Sequence, residues 1–142
     1  MRRELDLASR PGAVQTSKTI AECDVYAFAG ITGDFYPVHV DAEYAARQPA
    51  GQRVAHGVLL LGLMSAAAAR WMIQHSVDGL SYGYDAVRFV KPVLFGDTIT
   101  VSYAEISATP DRHKITCGVQ ARNQHGDIVG VAEHIVWSGS DQ

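Results

Sequence analysis

The chain has little of what marks most specialised protein classes. Cysteine occurs twice, at Cys23 and Cys117, far apart, with no CxxC pair and no His-rich ligand spacing, which argues against a disulfide framework or a cysteine metal site. Both are expected to be buried thiols in a reducing cytoplasm. An excess of one charge is also missing: 12 Lys and Arg face 15 Asp and Glu, for a formal net charge of -3. That balance provides no basic surface for nucleic acid or an anionic membrane. The longest apolar run, Val58 to Ala69, is closed by Arg70 and falls short of the roughly 20 residues of a bilayer crossing. No basic, apolar leader opens the chain, so the expectation is a soluble, cytoplasmic protein.

Linkers, repeats and low-complexity tracts are absent as well. With 142 residues, 47% of them hydrophobic and 19% charged, the chain is expected to form one domain over residues 1–142.

The first half of the chain carries helix signals. "TIAE" pairs Thr19 with Glu22 as a capping box, predicting a helix that starts near Ile20 and ends before Gly33. Pro37 disfavours helical geometry at Tyr36, so residues 33–40 are expected to form an ordered loop, after which Asp41 caps a short helix over residues 42–47. From His56 onward about 20 strong helix formers place apolar side chains on every side. Such a helix is expected to be buried all round.

After Ser81 the pattern changes to near period-2 alternation of β-branched and aromatic residues, in "YGYDAVRFVKPV", "DTITVSYAEIS", "KITCGVQARN" and "IVGVAEHIVW". Turn signals at "LFGD", "TPDR" and "QHGD" separate them, predicting four antiparallel strands in a meander, with a fifth near residues 13–19. An antiparallel sheet buries one face, and only the long helix is apolar enough to fill it. The fold class is therefore α+β: a curved antiparallel sheet wrapped around a long buried central helix, the hot-dog fold. One such sheet leaves an edge open, so a homodimer joined edge to edge is the minimum expected assembly.

One stretch carries chemistry. "TGDFYPVHV" sets Asp34 and His39 five positions apart with Pro37 between them. Taken singly, the acid reads as a turn former and the histidine as a structural imidazole. Followed by "HG" at the mouth of a buried helix, the two read together as a pair of groups aimed at one ligand.

The order "FAGITGDFYPVHVDAEYA", "VAHGVLLLGLMS", "VRFVKPVLFGDTI" resembles the MaoC-like family, which includes (R)-specific 2-enoyl-CoA hydratases and 3-hydroxyacyl thioester dehydratases. The resemblance runs from about Thr19 to Val101 by motif. It implies that Asp34 and His39 hold the water that adds to the enoyl double bond, and that the Gly57 backbone amide binds the thioester oxygen. It also implies that Ser65, about 12 Å along the helix from Gly57, supports the catalytic pair from inside the pocket. The chain departs from the family loop Gly-Asp-x-Asn-Pro-x-His at Tyr36, which replaces the asparagine and is expected to line the substrate site.

The implied activity is reversible hydration of a 2-enoyl thioester to its (R)-3-hydroxyacyl form, in fatty acid metabolism, with no metal and no other cofactor. The chemistry needs a base for water, an acid for Cα and a donor for the thioester oxygen. Coenzyme A or acyl carrier protein is expected to bring the acyl chain. An acyl-CoA substrate is favoured because the composition lacks an extended basic patch for an acidic carrier, and Lys91, Arg70, Arg112 and Lys114 are candidate phosphate contacts; no nucleic acid or membrane partner is expected. His56 is expected to bond the neighbouring loop, and Arg88 and Asp97 to hold the sheet. Two alternatives stand beside this reading. One is an acyl-CoA-binding or partner subunit without turnover. The other is a thioesterase, which would need a carboxylate on the central helix, where residues 57–74 have none.

Overall fold

The structure, a computed structural model, describes residues 6–139. Five strands form one antiparallel sheet: β1 (Val14–Thr19), β2 (Leu80–Phe89), β3 (Thr98–Ala108), β4 (Lys114–Arg122) and β5 (Ile128–Trp137), in the order β1-β3-β4-β5-β2. The turn signals at residues 109–112 and 124–127 join β3 to β4 and β4 to β5 as hairpins, with Arg112 and Gly126 at positive φ.

The expected four-strand meander is corrected at β2, which pairs with β5 and not with β3. Residues 90–97 cannot close a hairpin because they are occupied elsewhere. The Ala55 amide donates to the Val93 carbonyl, the Gly96 amide to the Ile20 carbonyl and the Ile20 amide to the Asp97 carbonyl. That segment therefore carries the chain from one edge of the sheet to a position beside β1. Buried Asp97 stabilises the crossing, its carboxylate accepting from the Leu94 amide and the Gln124 side chain. Arg88, by contrast, is exposed and among the described residues donates to the Val87 carbonyl of its own strand, a bond that does not tie strands together.

The long helix α4 (Gly57–Gln74) lies across this sheet, with Leu60, Met64, Ala67, Ala68 and Trp71 buried against it. These positions recur every three or four residues, the spacing of one helical face. Truncating a side chain such as Met64 there costs about 2 to 5 kcal/mol. Burial all round does not hold within one chain: Val58 and Ile73 on the opposite face are 50% and 81% exposed. One sheet covers one side of a helix, and nothing else among the described residues covers Val58 and Ile73 on the other. At 18 residues α4 is also long and apolar enough to cross a membrane by length and composition, unlike the shorter run expected. Here its buried face is taken by the sheet.

Helix α1 (Glu22–Thr32) starts later than the capping box predicts. Thr19 belongs to β1 and its hydroxyl bonds Thr98 across the sheet at 2.8 Å, so strand pairing takes the group that would have capped the helix. Asp24 does the capping, accepting the Ala21 amide at 2.8 Å. Helix α1 buries Val25 and Ala29 and leaves Cys23 exposed, so only Cys117 is a buried thiol, its pKa pushed up to about 11 by burial. The expected loop over residues 33–40 contains a helical turn, α2 (Pro37–Val40). Proline opposes helix at the residue before it but suits the first helical position. Helix α3 (Ala42–Ala46) follows, capped as expected by Asp41, which accepts the Tyr44 amide at 2.9 Å.

Candidate functional site

Three sequence-distant pieces of chain meet at the start of α4. The first is the end of α1. Gly33 adopts φ 81°, its amide bonding the Ala29 carbonyl, a left-handed stop that glycine takes without strain. Asp34 follows at once, its amide donating to the Thr32 hydroxyl and its carboxylate accepting the Tyr36 amide at 3.2 Å. This side-chain turn leads into Pro37 and starts α2, which presents His39.

The second piece is the extended segment before α4. The Val54 amide donates to the Val38 carbonyl, and the Val54 carbonyl accepts from His39 Nδ1 at 2.7 Å. Facing a carbonyl, Nδ1 must carry the proton, which leaves Nε2 with the lone pair in the neutral ring. The third piece is His56. Its Nε2 donates to the Asp34 carbonyl at 2.9 Å, and its ring stacks on His39 with centroids 3.8 Å apart and planes at 24°.

Asp34, His39 and His56 thus converge, each contributing one ligand-type atom within 4.8 Å of the others. Asp34 is exposed, His39 half-buried and His56 buried. Each ring keeps one nitrogen on a carbonyl, which leaves His39 Nε2 and His56 Nδ1 with their lone pairs beside the Asp34 carboxylate, a donor set of the kind that holds a metal ion.

A cavity of about 330 Å³ opens beside His39 and His56, lined by both and by Gly57, Leu60, Phe89 and Lys91 among others, with Asp34 outside the lining. That volume suits the reacting end of a small ligand. Gly57 is the first residue of α4, and its amide has no acceptor among the described residues. Such first-turn amides are free donors at the positive end of the helix dipole. A side chain cannot be added here without displacement, since a Cβ on Gly57 would lie 2.5 Å from Phe89 Cδ2.

The remaining expected site residues lie further out. Tyr36 is 57% exposed; its hydroxyl stands 3.3 Å from that of Tyr44 and its ring meets His39 edge-on at 6.3 Å. It flanks His39 but does not line the cavity. Ser65 also lies outside the cavity lining and sits near Tyr84 of β2. The Tyr84 hydroxyl is buried and makes no hydrogen bond of normal geometry; burial raises its pKa, and the nearby Ser65 hydroxyl offsets part of the rise. Of the four candidate cations only Lys91 reaches the cavity, ion-paired to Asp127 at 3.1 Å. Arg112 is held by Glu105, Arg70 by the Gln15 carbonyl, and Lys114 stands over the Tyr82 ring.

Sequence reasoning anticipated the loop bond of His56 but not its stacking on His39. It also missed a second polar cluster within the sheet. Buried His134 bonds the Ser81 hydroxyl through Nε2 at 2.8 Å and the Tyr103 hydroxyl through Nδ1 at 2.7 Å, with Tyr84 stacked on its ring. Burial lowers its pKa to about 4. A lone histidine in an alternating strand carries no signal of partners on two other strands.

A five-stranded antiparallel sheet around one long central helix defines the hot-dog fold, and the site lies where the helix begins. Residues 7–125 match the MaoC like domain. The chain belongs to that family. Among curated proteins, it is 34% identical over 100 residues to an (R)-specific enoyl-CoA hydratase of Rhodospirillum rubrum, covering 70% of this chain and 67% of that one. It is 36% identical over 106 residues to a 3-hydroxybutyryl-CoA dehydratase of Methylorubrum extorquens, covering 72% and 66%. The chain thus spans about two thirds of the length of these relatives. Among solved structures it resembles an unliganded R-hydratase of Pseudomonas aeruginosa, with TM-score 0.77, 31% identity, and 91% of this chain and 81% of that one covered.

Proposed function

We propose that the protein hydrates a 2-enoyl-CoA reversibly to its (R)-3-hydroxyacyl thioester. One observation carries this reading: a carboxylate and an imidazole from one turn converge beside a cavity whose wall includes a free helix-start amide. His39 Nε2, with Nδ1 committed to the Val54 carbonyl, is the available base for a water proton. Water oxygen bonds Cβ, the double bond breaks, and Cα takes a proton from the pair. Charge developing on the thioester oxygen is met by the Gly57 amide, a donor typically worth about 2.7 to 4 kcal/mol in the transition state. The named activities of the two curated relatives support the same reaction class.

Tyr36, beside His39, shapes the entrance, whereas Ser65, expected to support the catalytic pair, lies outside the cavity lining and next to Tyr84. Lys91 is the first choice for a coenzyme A phosphate because it alone of the candidates lines the cavity. The exposed face of α4 and the exposed apolar residues Leu80 and Tyr82 of edge strand β2 support a homodimer, measurable by sedimentation.

The deciding assay follows crotonyl-CoA. Hydration bleaches the conjugated enoyl absorbance without releasing thiol. Release of free thiol would mean a thioesterase, and binding without either change would mean an acyl-CoA-binding subunit. Longer, branched and dicarboxylic enoyl thioesters extend the test if crotonyl-CoA is inert.

A further inference from the structure

We infer that His56 is the positioning residue of this site, a single buried ring that sets both members of the Asp34 and His39 pair; the inference rests on the hydratase reading above. Its edge acts on Asp34, since Nε2 donates to the Asp34 carbonyl at 2.9 Å and so anchors the residue whose carboxylate makes the turn into α2. Its face acts on His39, stacked at 3.8 Å with planes only 24° apart. The ring is itself gripped from α1 by Phe28, with centroids 4.8 Å apart. His56 is 2% exposed, so it moves only if α1, α2 and the start of α4 move together.

The remaining atom of the ring argues that this arrangement serves more than packing. His56 Nδ1 is buried with no hydrogen-bond partner among the described residues, and an unsatisfied buried polar atom costs about 1 to 3 kcal/mol. An apolar ring would fill the space without that cost. Several side chains could donate to the Asp34 carbonyl, but only a flat ring supplies the face for His39, and the other donor rings, those of Tyr and Trp, are larger than imidazole. Histidine is the residue that combines the two within this volume. With His39 Nδ1 bonded to the Val54 carbonyl, the stack leaves the ring no freedom to flip, which keeps Nε2 on the reacting side. Partners of this kind fix ring orientation and tautomer at working sites.

Two substitutions separate the edge from the face. His56→Gln keeps an N–H donor for Asp34 and loses the stacking surface, while His56→Phe keeps the surface and loses the donor. Each is expected to lower kcat by about tenfold to a hundredfold, the range for small displacements of reacting groups, with KM changed less than about threefold. The wild-type protein gives an independent readout by nitrogen-proton NMR of the imidazoles. His39 is expected as a single Nδ1–H tautomer and His56 as a single Nε2–H tautomer, with His39 averaging between tautomers in His56→Gln. Wild-type kcat in His56→Gln, a loss confined to KM, or averaged tautomers in the wild-type protein would each overturn the inference. Inactivity of the wild-type protein on every enoyl thioester defeats the hydratase reading instead, and the two failures are thereby distinguished.

Discussion

Gly57 and Phe89 are packed so closely that a Cβ on the glycine would stand 2.5 Å from Phe89 Cδ2 and 2.9 Å from Cγ. The helix start and edge strand β2 therefore meet with no allowance for a side chain, and the free amide of Gly57 is left at the cavity wall. Gly57→Ala is expected to push the Phe89 ring aside and to destabilise the fold by about 1 to 3 kcal/mol, the usual cost of overpacking. Adding Phe89→Ala to it is expected to relieve that clash, and urea denaturation compares the single and double variants; a double variant no more stable than Gly57→Ala would mean that contact with Phe89 does not set the cost.

Asp34→Asn and His39→Ala are each expected to lower kcat by at least about a hundredfold, the lower end of general acid-base contributions. Asp34 is exposed and Asn keeps an oxygen for the Tyr36 amide, so Asp34→Asn should melt near wild type; His39→Ala loses its bond to the Val54 carbonyl and its stack on His56 and should melt lower, while circular dichroism shows both variants folded. Wild-type rates in both would show that the convergence of the two side chains serves only the turn.

The His134 cluster makes a separate prediction about stability and pH. Above the ordinary imidazole value of 6.5, His134 is neutral in both folded and unfolded chains and adds nothing to the pH dependence. As pH falls below 6.5 the unfolded chain takes up a proton that the buried ring refuses until about pH 4. Stability is therefore lost across that window, by about 3 kcal/mol at 1.36 kcal/mol per unit. Its ring nitrogens face the hydroxyls of Ser81 and Tyr103, which cannot hold a charge against it. Urea denaturation from pH 7 to pH 4.5 should show the decline, and His134→Gln should flatten it. The lowered pKa of Asp24, due first to the Ala21 amide, acts only in more acid solution, below its ordinary value of 3.8.

Tyr84 carries a buried hydroxyl with no hydrogen bond of normal geometry among the described residues, near Ser65. Removing an unsatisfied buried polar group while keeping its shape is neutral or favourable. Tyr84→Phe is therefore expected to leave the free energy of unfolding unchanged or raise it by about 1 kcal/mol. A loss of more than that would mean the Ser65 hydroxyl is a real partner, and Ser65→Ala should then reproduce the loss.

Much of this protein was legible in its residues, for local reasons. A helix of strong formers from Gly57, the cap at Asp41 and the β-branched alternation of the strands depend on neighbours within a few positions, and each formed where expected. Asp34 and His39 are joined by a rigid turn, so their proximity follows from Gly33 and Pro37 alone. Their meeting with Gly57 follows from the family resemblance rather than from spacing.

The errors share one cause, which is that long-range pairing outweighed local preference. Thr19 gave up its capping role because β3 offered its hydroxyl a partner. The meander failed because residues 90–97 found better hydrogen bonds beside Ala55 and Ile20 than in a hairpin. Composition alone determined that α4 would be the core of an α+β sheet protein, since no other segment is apolar enough to fill the sheet's face. Only the tertiary structure decided that one side of that helix stays uncovered in the single chain. It alone also decided that His56 would stack on His39, because a ring's neighbours across 17 residues of chain are set by packing and not by periodicity.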